Sequence, residues 1–337
     1  MPQHKLPEKF VLQNGEILHQ ASLHYEIEGE ISNQKEIIWI CHAFTGSATV
    51  KSWWPSLYFE NGGFIDPKRH TVICANILGS CYGSTGPESI NPDTNKKYGD
   101  EFPEISNRDV IKAFIDLRKS LNITNIDILI GGSLGGQQAL EWSLIEPEII
   151  QNQALIASNA KHSSWGIAFN ELQRQAISLG ANNSISKNEA IAIARKIAML
   201  SYRSYDDFEL NQKGKNEQDD WNIVSYLNYQ GEKFKGRFST DSYFILSKMM
   251  DNHNIASARN GSLEQILSLV KTNTLCIGID SDNLFPLKEQ GLMAHHIPNA
   301  KLEIINSKKG HDAFLIEGNK ISRLIEKNFK KNYYEKA

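Results

Sequence analysis

The chain has 337 residues, 40% of them hydrophobic and 22% charged, which is enough apolar material for a large core and excludes a disordered protein. Its 36 Lys and Arg residues stand against 39 Asp and Glu, a formal net charge of −3, so the positive field typical of proteins that bind nucleic acid or anionic membranes is absent. The composition therefore favours small molecules as partners.

The N-terminal segment and the cysteines both indicate a cytoplasmic protein. Residues 1–9 lack the apolar core of a signal peptide, and no uninterrupted apolar run reaches the length of a membrane span. Cys41, Cys74, Cys81 and Cys276 include no CxxC pair. We predict four free thiols and no metal site.

Short runs rich in Ile and Val alternate with stretches of helical pattern along the chain. Strands without polar alternation are buried on both faces, as in a parallel sheet covered by helices. Residues 16–28 interleave polar and apolar side chains and are predicted to form an antiparallel pair that opens the sheet. The predicted buried strands are residues 37–41, 71–75, 126–130, 274–279 and 302–305.

Residues 163–261 lose the strand signal and become polar and helix-like, for example over 188–201 and 240–252. An insertion after the third predicted buried strand would lie over the carboxyl edge of the sheet, so we predict a helical lid here, with the core formed by 1–162 and 262–337. Within the lid, 212–221 is predicted to be a solvated loop. Residues 312–331 are predicted to form a closing helix.

A serine between glycines, Gly131-Gly132-Ser133-Leu134-Gly135, directly follows the strand 126–130 and precedes a helical pattern. Such a strand-to-helix turn is the nucleophile elbow of the α/β-hydrolase fold. The turn is too tight for side chains at the glycines, and it aims a helix N-terminus at any oxyanion formed beside the serine. We predict that Ser133 is a catalytic nucleophile.

A serine nucleophile needs a base, and three histidines follow the late strands. His295 and His296 close a helical run before strand 302–305, which places them at the edge opposite the serine. His311 follows that strand and shares the serine's edge. His311 is therefore the predicted base.

The acid should follow strand 274–279, where Asp280-Ser281-Asp282 offers two carboxylates. Asp282 stands further into the loop and is preferred, although either side chain could reach an imidazole. The unused aspartate would be a turn or cap residue.

Two backbone N–H groups are predicted to form the oxyanion hole. One belongs to Leu134, directly after the nucleophile, and the other to Phe44, in the loop after strand 37–41. His42 in the same loop is interpreted as a structural histidine rather than a catalytic one.

The assembled motifs resemble those of the MetX group of homoserine O-acetyltransferases within the α/β-hydrolase superfamily. They cover most of the chain in the expected order, and as a set they are far more specific than GxSxG alone. The matching segments are HAFTG (42–46), ANILGSCYGSTGPESINP (75–92), GGSLGGQQALEW (131–142), NELQRQAI (170–177), AMLSYRS (198–204), SDNLFP (281–286) and GHDAF (310–314).

This resemblance implies that Asp282 is the triad acid, that Arg203 binds the carboxylate of an amino-acid acceptor and that Asp312 meets its ammonium group. Without it, Arg203 would be interpreted as a helix-surface charge and Asp312 as an N-cap. It also implies acetyl transfer from acetyl-CoA to L-homoserine through an acyl-serine, in methionine biosynthesis. A homodimer through the lid is expected, and no permanently bound cofactor.

Several alternatives remain open from the sequence. Serine could replace homoserine as acceptor, succinyl-CoA could replace acetyl-CoA, and the same triad could serve an ester or thioester hydrolase or belong to a non-enzymatic member of the fold. The chain also departs from the family pattern, which usually has leucine at Phe44, methionine at Leu134 and Gly-Gly at residues 79–80. These departures bear on specificity more than on mechanism, because backbone donors survive side-chain changes.

Overall fold

The computed structural model describes residues 2–182 and 185–329. Their centre is an eight-stranded sheet. The strands are β1 (Gln3–Lys5), β2 (Lys9–Val11), β3 (Ile17–His19), β4 (Ser22–Glu28), β5 (Glu36–Cys41), β6 (His70–Ala75), β7 (Ile90–Asn91), β8 (Lys96–Lys97), β9 (Ile126–Gly132), β10 (Ile150–Ile156), β11 (Asn273–Ile279) and β12 (Ala300–Ile305). The order in the sheet is β1-β4-β6-β5-β9-β10-β11-β12.

Helices cover the sheet on both sides. They are α1 (Val50–Trp53), α2 (Asn107–Ser120), α3 (Leu134–Ile145), α4 (Ser164–Ala181), α5 (Lys187–Tyr202), α6 (Tyr205–Asn211), α7 (Asn222–Phe234), α8 (Thr240–Asp251), α9 (Leu263–Leu267), α10 (Leu287–His296), α11 (Ala313–Ile316) and α12 (Gly318–Phe329).

The six strands from β6 to β12 in the sheet order pair in parallel, and only β4 runs in the opposite direction, antiparallel to both β1 and β6. Every residue of the central strand β9 is buried, as expected for a strand with helices on both faces. One apolar cluster lies on each face of the sheet. The predicted α/β-hydrolase architecture with a mostly parallel sheet is confirmed.

Two details of the predicted sheet were wrong. Residues 16–28 contain β3 and β4, but these strands do not pair with each other: β3 pairs with β2, and β4 joins the sheet beside β1 and β6. Strand β10 was not predicted, because Gln151, Asn152 and Gln153 interrupt its apolar run. Gln153 is nevertheless fully buried, since its amide donates to Thr274 Oγ1 at 2.9 Å.

Between β10 and β11 the described residues form helices and no strand that joins the sheet. Serines begin several of these helices by accepting a backbone N–H of the first turn, as Ser163 does for α4 and Ser186 for α5. Residues 212–221 form a mostly exposed loop, as predicted.

The predicted closing helix over 312–331 is divided in the structure. A short 3₁₀ turn, Gly310–Asp312, leads into α11, and α12 begins at Gly318 and runs to Phe329; residues 330 and 331 lie outside the described part of the chain. No helix in residues 2–182 or 185–329 combines the length and apolar character needed to cross a bilayer.

Candidate active site

Ser133 occupies a strained turn between β9 and α3. Its φ of 55° and ψ of −125° lie in a region that residues other than glycine rarely adopt. A Cβ on Gly131 would overlap the carbonyl of Gly135, so this turn forms only with glycine at that position. The backbone N–H of Ser133 donates to the Ile156 carbonyl at 2.9 Å, which attaches the turn to the end of β10.

The structure brings Ser133, His311 and Asp282 together across 178 residues of chain. His311 Nε2 lies 2.9 Å from Ser133 Oγ, and His311 Nδ1 lies 2.7 Å from Asp282 Oδ2. The three residues are only 3–5% exposed. A buried carboxylate on one ring nitrogen leaves the other free to accept the serine proton.

The loop after β11 resolves the choice between the two aspartates. Asp282 Oδ1 accepts the backbone N–H groups of Leu284 and Phe285, both at 2.8 Å, which aims the remaining oxygen at His311. The Phe285 ring stacks on the imidazole with centroids 5.1 Å apart. Asp280 instead accepts the Ser307 N–H at 3.0 Å and so joins two loops.

His295 and His296 form the last turn of α10, and their rings contact each other with centroids 4.7 Å apart. The helix begins at Leu287, beside the Asp282 loop, so its last turn points away from the triad. The imidazole that meets the nucleophile is therefore that of His311.

The predicted oxyanion donors follow the ends of two paired strands, β5 and β9. Leu134 is the first residue of α3, so its N–H has no acceptor within the helix. Phe44 follows β5, which pairs with β9 up to Cys41 and Gly131. His42 is fully buried and binds both Ile77 N and Ala43 O; burial lowers its pKa to about 4, so it is a neutral structural residue.

Arg203 and Asp312 form an ion pair directly beside the base. Arg203 Nε lies 3.0 Å from Asp312 Oδ2, and Nη1 lies 3.1 Å from Asp207 Oδ2. Burial raises the pKa of the Asp312 carboxyl, while the charges of Arg203, Arg195 and His311 oppose that rise. Lys309 also contacts Asp207, at 2.7 Å. The positive charges of Arg203 and Lys309 are thus matched by two carboxylates, those of Asp207 and Asp312.

A buried polar network behind the triad was missed by sequence reasoning. Ser158 Oγ donates to the Ser133 carbonyl at 2.8 Å, and the Ser158 carbonyl accepts Gln290 Nε2 at 2.7 Å. The same Gln290 nitrogen donates to the Phe285 carbonyl at 3.3 Å. Gln290 therefore links the nucleophile turn to the loop that holds Asp282.

A second chain of hydrogen bonds runs beside the first. Gln137 Nε2 donates to Asn159 Oδ1 at 2.9 Å, and Asn159 Nδ2 donates to Glu289 Oε2 at 2.8 Å. Burial raises the pKa of Glu289 to about 7, and the charge of Asp282 adds to the rise. The only sequence signal was polar residues in pairs, 158–159 and 289–290, next to predicted site segments.

These features define an enzyme of the α/β-hydrolase fold that can form an acyl-serine. Residues 36–317 match the model of the alpha/beta hydrolase fold family. No group of three His, Cys, Asp or Glu side chains within the described ranges could hold a metal ion.

Similar proteins of known function narrow the class of enzyme further. A homoserine O-acetyltransferase of Cyclobacterium marinum is 42% identical, with 96% of this chain and 94% of the relative covered. One from Nostoc punctiforme is 40% identical, with coverage of 96% and 95%. The crystal structure of homoserine O-acetyltransferase from Staphylococcus aureus superimposes with a TM-score of 0.83 at 26% identity and covers 99% of this chain and 96% of that one. The chain belongs to the homoserine O-acetyltransferase family, which confirms the resemblance.

Proposed function

We propose that this protein transfers an acetyl group from acetyl-CoA to the side-chain hydroxyl of L-homoserine, a step of methionine biosynthesis. The observation that carries the proposal is the Arg203–Asp312 pair beside His311. A guanidinium suits a carboxylate and an aspartate suits an ammonium group, so the pair is matched to an amino-acid zwitterion. A hydrolase of apolar esters has no use for it.

In the first half-reaction, His311 Nε2 takes the proton of Ser133 Oγ while the oxygen attacks the thioester carbonyl. Asp282 stabilises the imidazolium, and the N–H groups of Phe44 and Leu134 bind the oxyanion of the tetrahedral intermediate. Collapse expels the CoA sulfur, which leaves with the proton from His311, and the acetyl group stays on Ser133.

In the second half-reaction, the amino acid enters with its carboxylate toward Arg203 and its ammonium group toward Asp312. His311 removes the proton of the side-chain hydroxyl as the oxygen attacks the acetyl carbonyl. Ser133 recovers its proton from His311 when the ester is released. Acetyl-CoA is a co-substrate in this scheme, and no resident cofactor is required.

Water must be kept from the acyl-serine in a transferase. The triad residues are nearly buried, and the Tyr202 ring at the end of α5 contacts the His311 ring at 5.9 Å between centroids. Ser204, in the next turn, donates to the Lys308 carbonyl. The helices after β10 therefore close over the base, which supports a water-poor site.

Measuring free CoA tests the function. With acetyl-CoA alone, wild type should release a burst of about one thiol per active site, and Ser133→Ala none. Homoserine should then sustain turnover. Serine as acceptor and succinyl-CoA as donor are the alternative pairs, and thiol release that ignores the acceptor would indicate a hydrolase.

A substitution of Arg203 would distinguish an effect on acceptor binding from an effect on acylation of Ser133. Arg203→Ala should raise the KM for homoserine by about 100-fold, as expected when a charged hydrogen-bond partner is lost, while the burst persists. Arg259→Ala removes a guanidinium that pairs with Glu141 and is the matched control. Unchanged acceptor kinetics in Arg203→Ala would contradict the assignment.

We also propose a homodimer formed through the lid helices. Trp165, Leu172 and Leu179 are spaced by seven residues on α4 and are 48–55% exposed, which is typical of a helix face that packs against another helix. Leu172→Glu should shift the sedimentation coefficient from dimer to monomer. Ile90→Glu, at an equally exposed position outside these helices, should not.

A cytoplasmic location is proposed as well. The four cysteines are all free thiols, and three of them are buried. Unpaired cysteines are typical of a reducing compartment. Fractionation of cells that express a tagged copy would test this.

A further inference from the structure

The Thr45 turn, residues 43–46, follows β5 and contains Phe44, whose N–H the proposed function assigns to the oxyanion. The Gly46 N–H donates to the Ala43 carbonyl at 2.8 Å, which closes the turn. The Phe44 N–H itself donates to no acceptor in the described residues. It is therefore available to an oxygen that develops negative charge beside the serine.

The core of the protein holds the first peptide of this turn. His42 Nε2 accepts the Ile77 N–H at 3.1 Å, so the ring proton is on Nδ1, which donates to the Ala43 carbonyl at 2.8 Å. In a planar trans peptide the carbonyl and the N–H point in opposite directions. The donors on the Ala43 carbonyl thus set the direction of the Phe44 N–H.

The lid holds the second peptide of the turn. Arg237 lies in the segment between α7 and α8, and its Nη2 is 3.1 Å from both the carbonyl oxygen and Oγ1 of Thr45. A hydrogen bond from a charged donor is stronger than one between neutral groups. Within residues 2–182 and 185–329, Thr45 has no other hydrogen-bond partner. This end of the turn therefore depends on the lid.

Arg237 is exposed, but its neighbours keep it in place over the turn. The Tyr82 hydroxyl donates to the Arg237 carbonyl at 3.0 Å, and the guanidinium lies 5.1 Å from the centroid of the Phe234 ring. Phe238 is buried, with its ring centroid 5.6 Å from that of Tyr82 and 6.4 Å from that of Phe44. The lid segment thus contacts the ring of Phe44 as well as the backbone beside it.

A different part of the lid contacts the turn that carries the base. A Cβ on Gly310 would lie 2.6 Å from the backbone nitrogen of Ser204, so the chain after α5 packs directly against the residue before His311. The lid therefore touches the elements on either side of Ser133 that must be placed for catalysis.

We propose that Arg237 is a positioning residue, which holds the Thr45 turn so that the Phe44 N–H points at the oxyanion. The inference rests on the proposed function and deepens it. Both half-reactions pass through a tetrahedral oxyanion, so loss of Arg237 should slow the formation and the breakdown of the acyl-serine and leave substrate binding unchanged.

Stopped-flow measurement of the acetyl-CoA burst tests the rate. Removing one oxyanion donor outright costs about 10²–10³ in rate, and a displaced turn should lose part of that, so Arg237→Ala should slow the saturated burst by about tenfold. The KM for acetyl-CoA should stay within about twofold of wild type. Arg237→Lys keeps one charged donor, and its loss should be smaller, about threefold.

A tetrahedral inhibitor separates oxyanion binding from general packing. Methylboronic acid forms a bond from boron to Ser133 Oγ while the serine proton passes to His311, which leaves an anionic tetrahedral boronate with an oxygen at the oxyanion position. In Arg237→Ala its Kd should rise by the same factor by which the burst slows. A loss of packing that spares the Phe44 N–H would leave this Kd unchanged.

Lys235→Ala is the matched control. Lys235 belongs to the same segment and removes the same positive charge, but it pairs with Glu189 and Glu232, both within the lid. Its burst rate and its Kd for methylboronic acid should equal those of wild type.

Three results with Arg237→Ala would overturn the inference while the proposed function stands. They are a burst rate equal to that of wild type, a slower burst with an unchanged Kd for the boronate, and a raised KM for acetyl-CoA at a normal saturated rate, which would assign Arg237 to the donor. If wild type itself shows no burst, the proposed function fails and the inference fails with it.

Discussion

Replacing Gln290 by methionine would break the link between the nucleophile and the acid without adding a charge. Gln290 is fully buried on the first turn of α10, and its Nε2 bridges the carbonyls of Ser158 and Phe285. Methionine has a similar length and fills most of the volume. The two carbonyls would lose this donor.

The cost follows from those two contacts. A buried carbonyl without a partner costs about 1–3 kcal/mol, and the Oε1 of Gln290 itself lacks a partner in the described residues, so its removal offsets part of that cost. We expect a loss of about 2–4 kcal/mol in the free energy of unfolding. Because Phe285 N holds Asp282, a small shift of that loop moves His311, and the acylation rate should fall by about 10- to 100-fold.

Gln153→Met is a close control, because Gln153 is equally buried and also has an Oε1 without a partner in the described residues. It lies in the middle of β10, and its Nε2 donates to Thr274 Oγ1 and not to the loops that hold the triad. Urea unfolding would give the stability of both variants, and the burst rate with acetyl-CoA would give the chemistry. Both should lose stability, and only Gln290→Met should lose acylation rate beyond what its folded fraction explains. Equal burst rates in the two folded variants would refute the positioning role of Gln290.

Three further changes test the site. The pKa of Glu289 is raised from 4.5 to about 7, so the folded protein favours the protonated carboxyl and loses stability as pH rises from about 4.5 through 7. Glu289→Gln should remove that loss and raise the free energy of unfolding at pH 8 by up to about 3 kcal/mol. Urea unfolding at several pH values would measure it. Asp282→Asn should slow acylation by about 10⁴-fold in stopped flow, whereas Asp280→Asn, which alters only a loop contact, should slow it less than tenfold. Gly131→Ala should lower the free energy of unfolding by more than about 3 kcal/mol, and a calorimetric Tm equal to that of wild type would contradict the steric argument.

The turn at Ser133 was readable from the sequence because its conformation is decided locally. Glycines on both sides of Ser133 and the change from strand to helix pattern specify the strained turn within a few residues. The position of His311 was also readable, because in a parallel sheet a loop that follows a strand lies at the same edge as the turn at Ser133. That rule placed His311, and not His295 or His296, beside Ser133.

Contacts between distant segments were not readable. Residues 16–28 showed the alternation of strands, but alternation does not name a partner, and β3 pairs with β2 instead of β4. The acid illustrates the same limit: both Asp280 and Asp282 follow β11, and only the backbone N–H groups of the folded loop aim Asp282 at the imidazole.

The polar side chains that support the site depend entirely on tertiary structure. Gln290 and Ser158 are 132 residues apart, and nothing in their local sequence distinguishes them from surface residues. The pairing of Arg203 with two aspartates likewise arises only when α5 packs against the turn at Asp312. The sequence by itself therefore determined the class of fold, the turn at Ser133 and the placement of His311 beside it, because these follow from local backbone geometry and strand order. Only the folded chain decided which charges neutralise one another, because charge balance depends on distances in space.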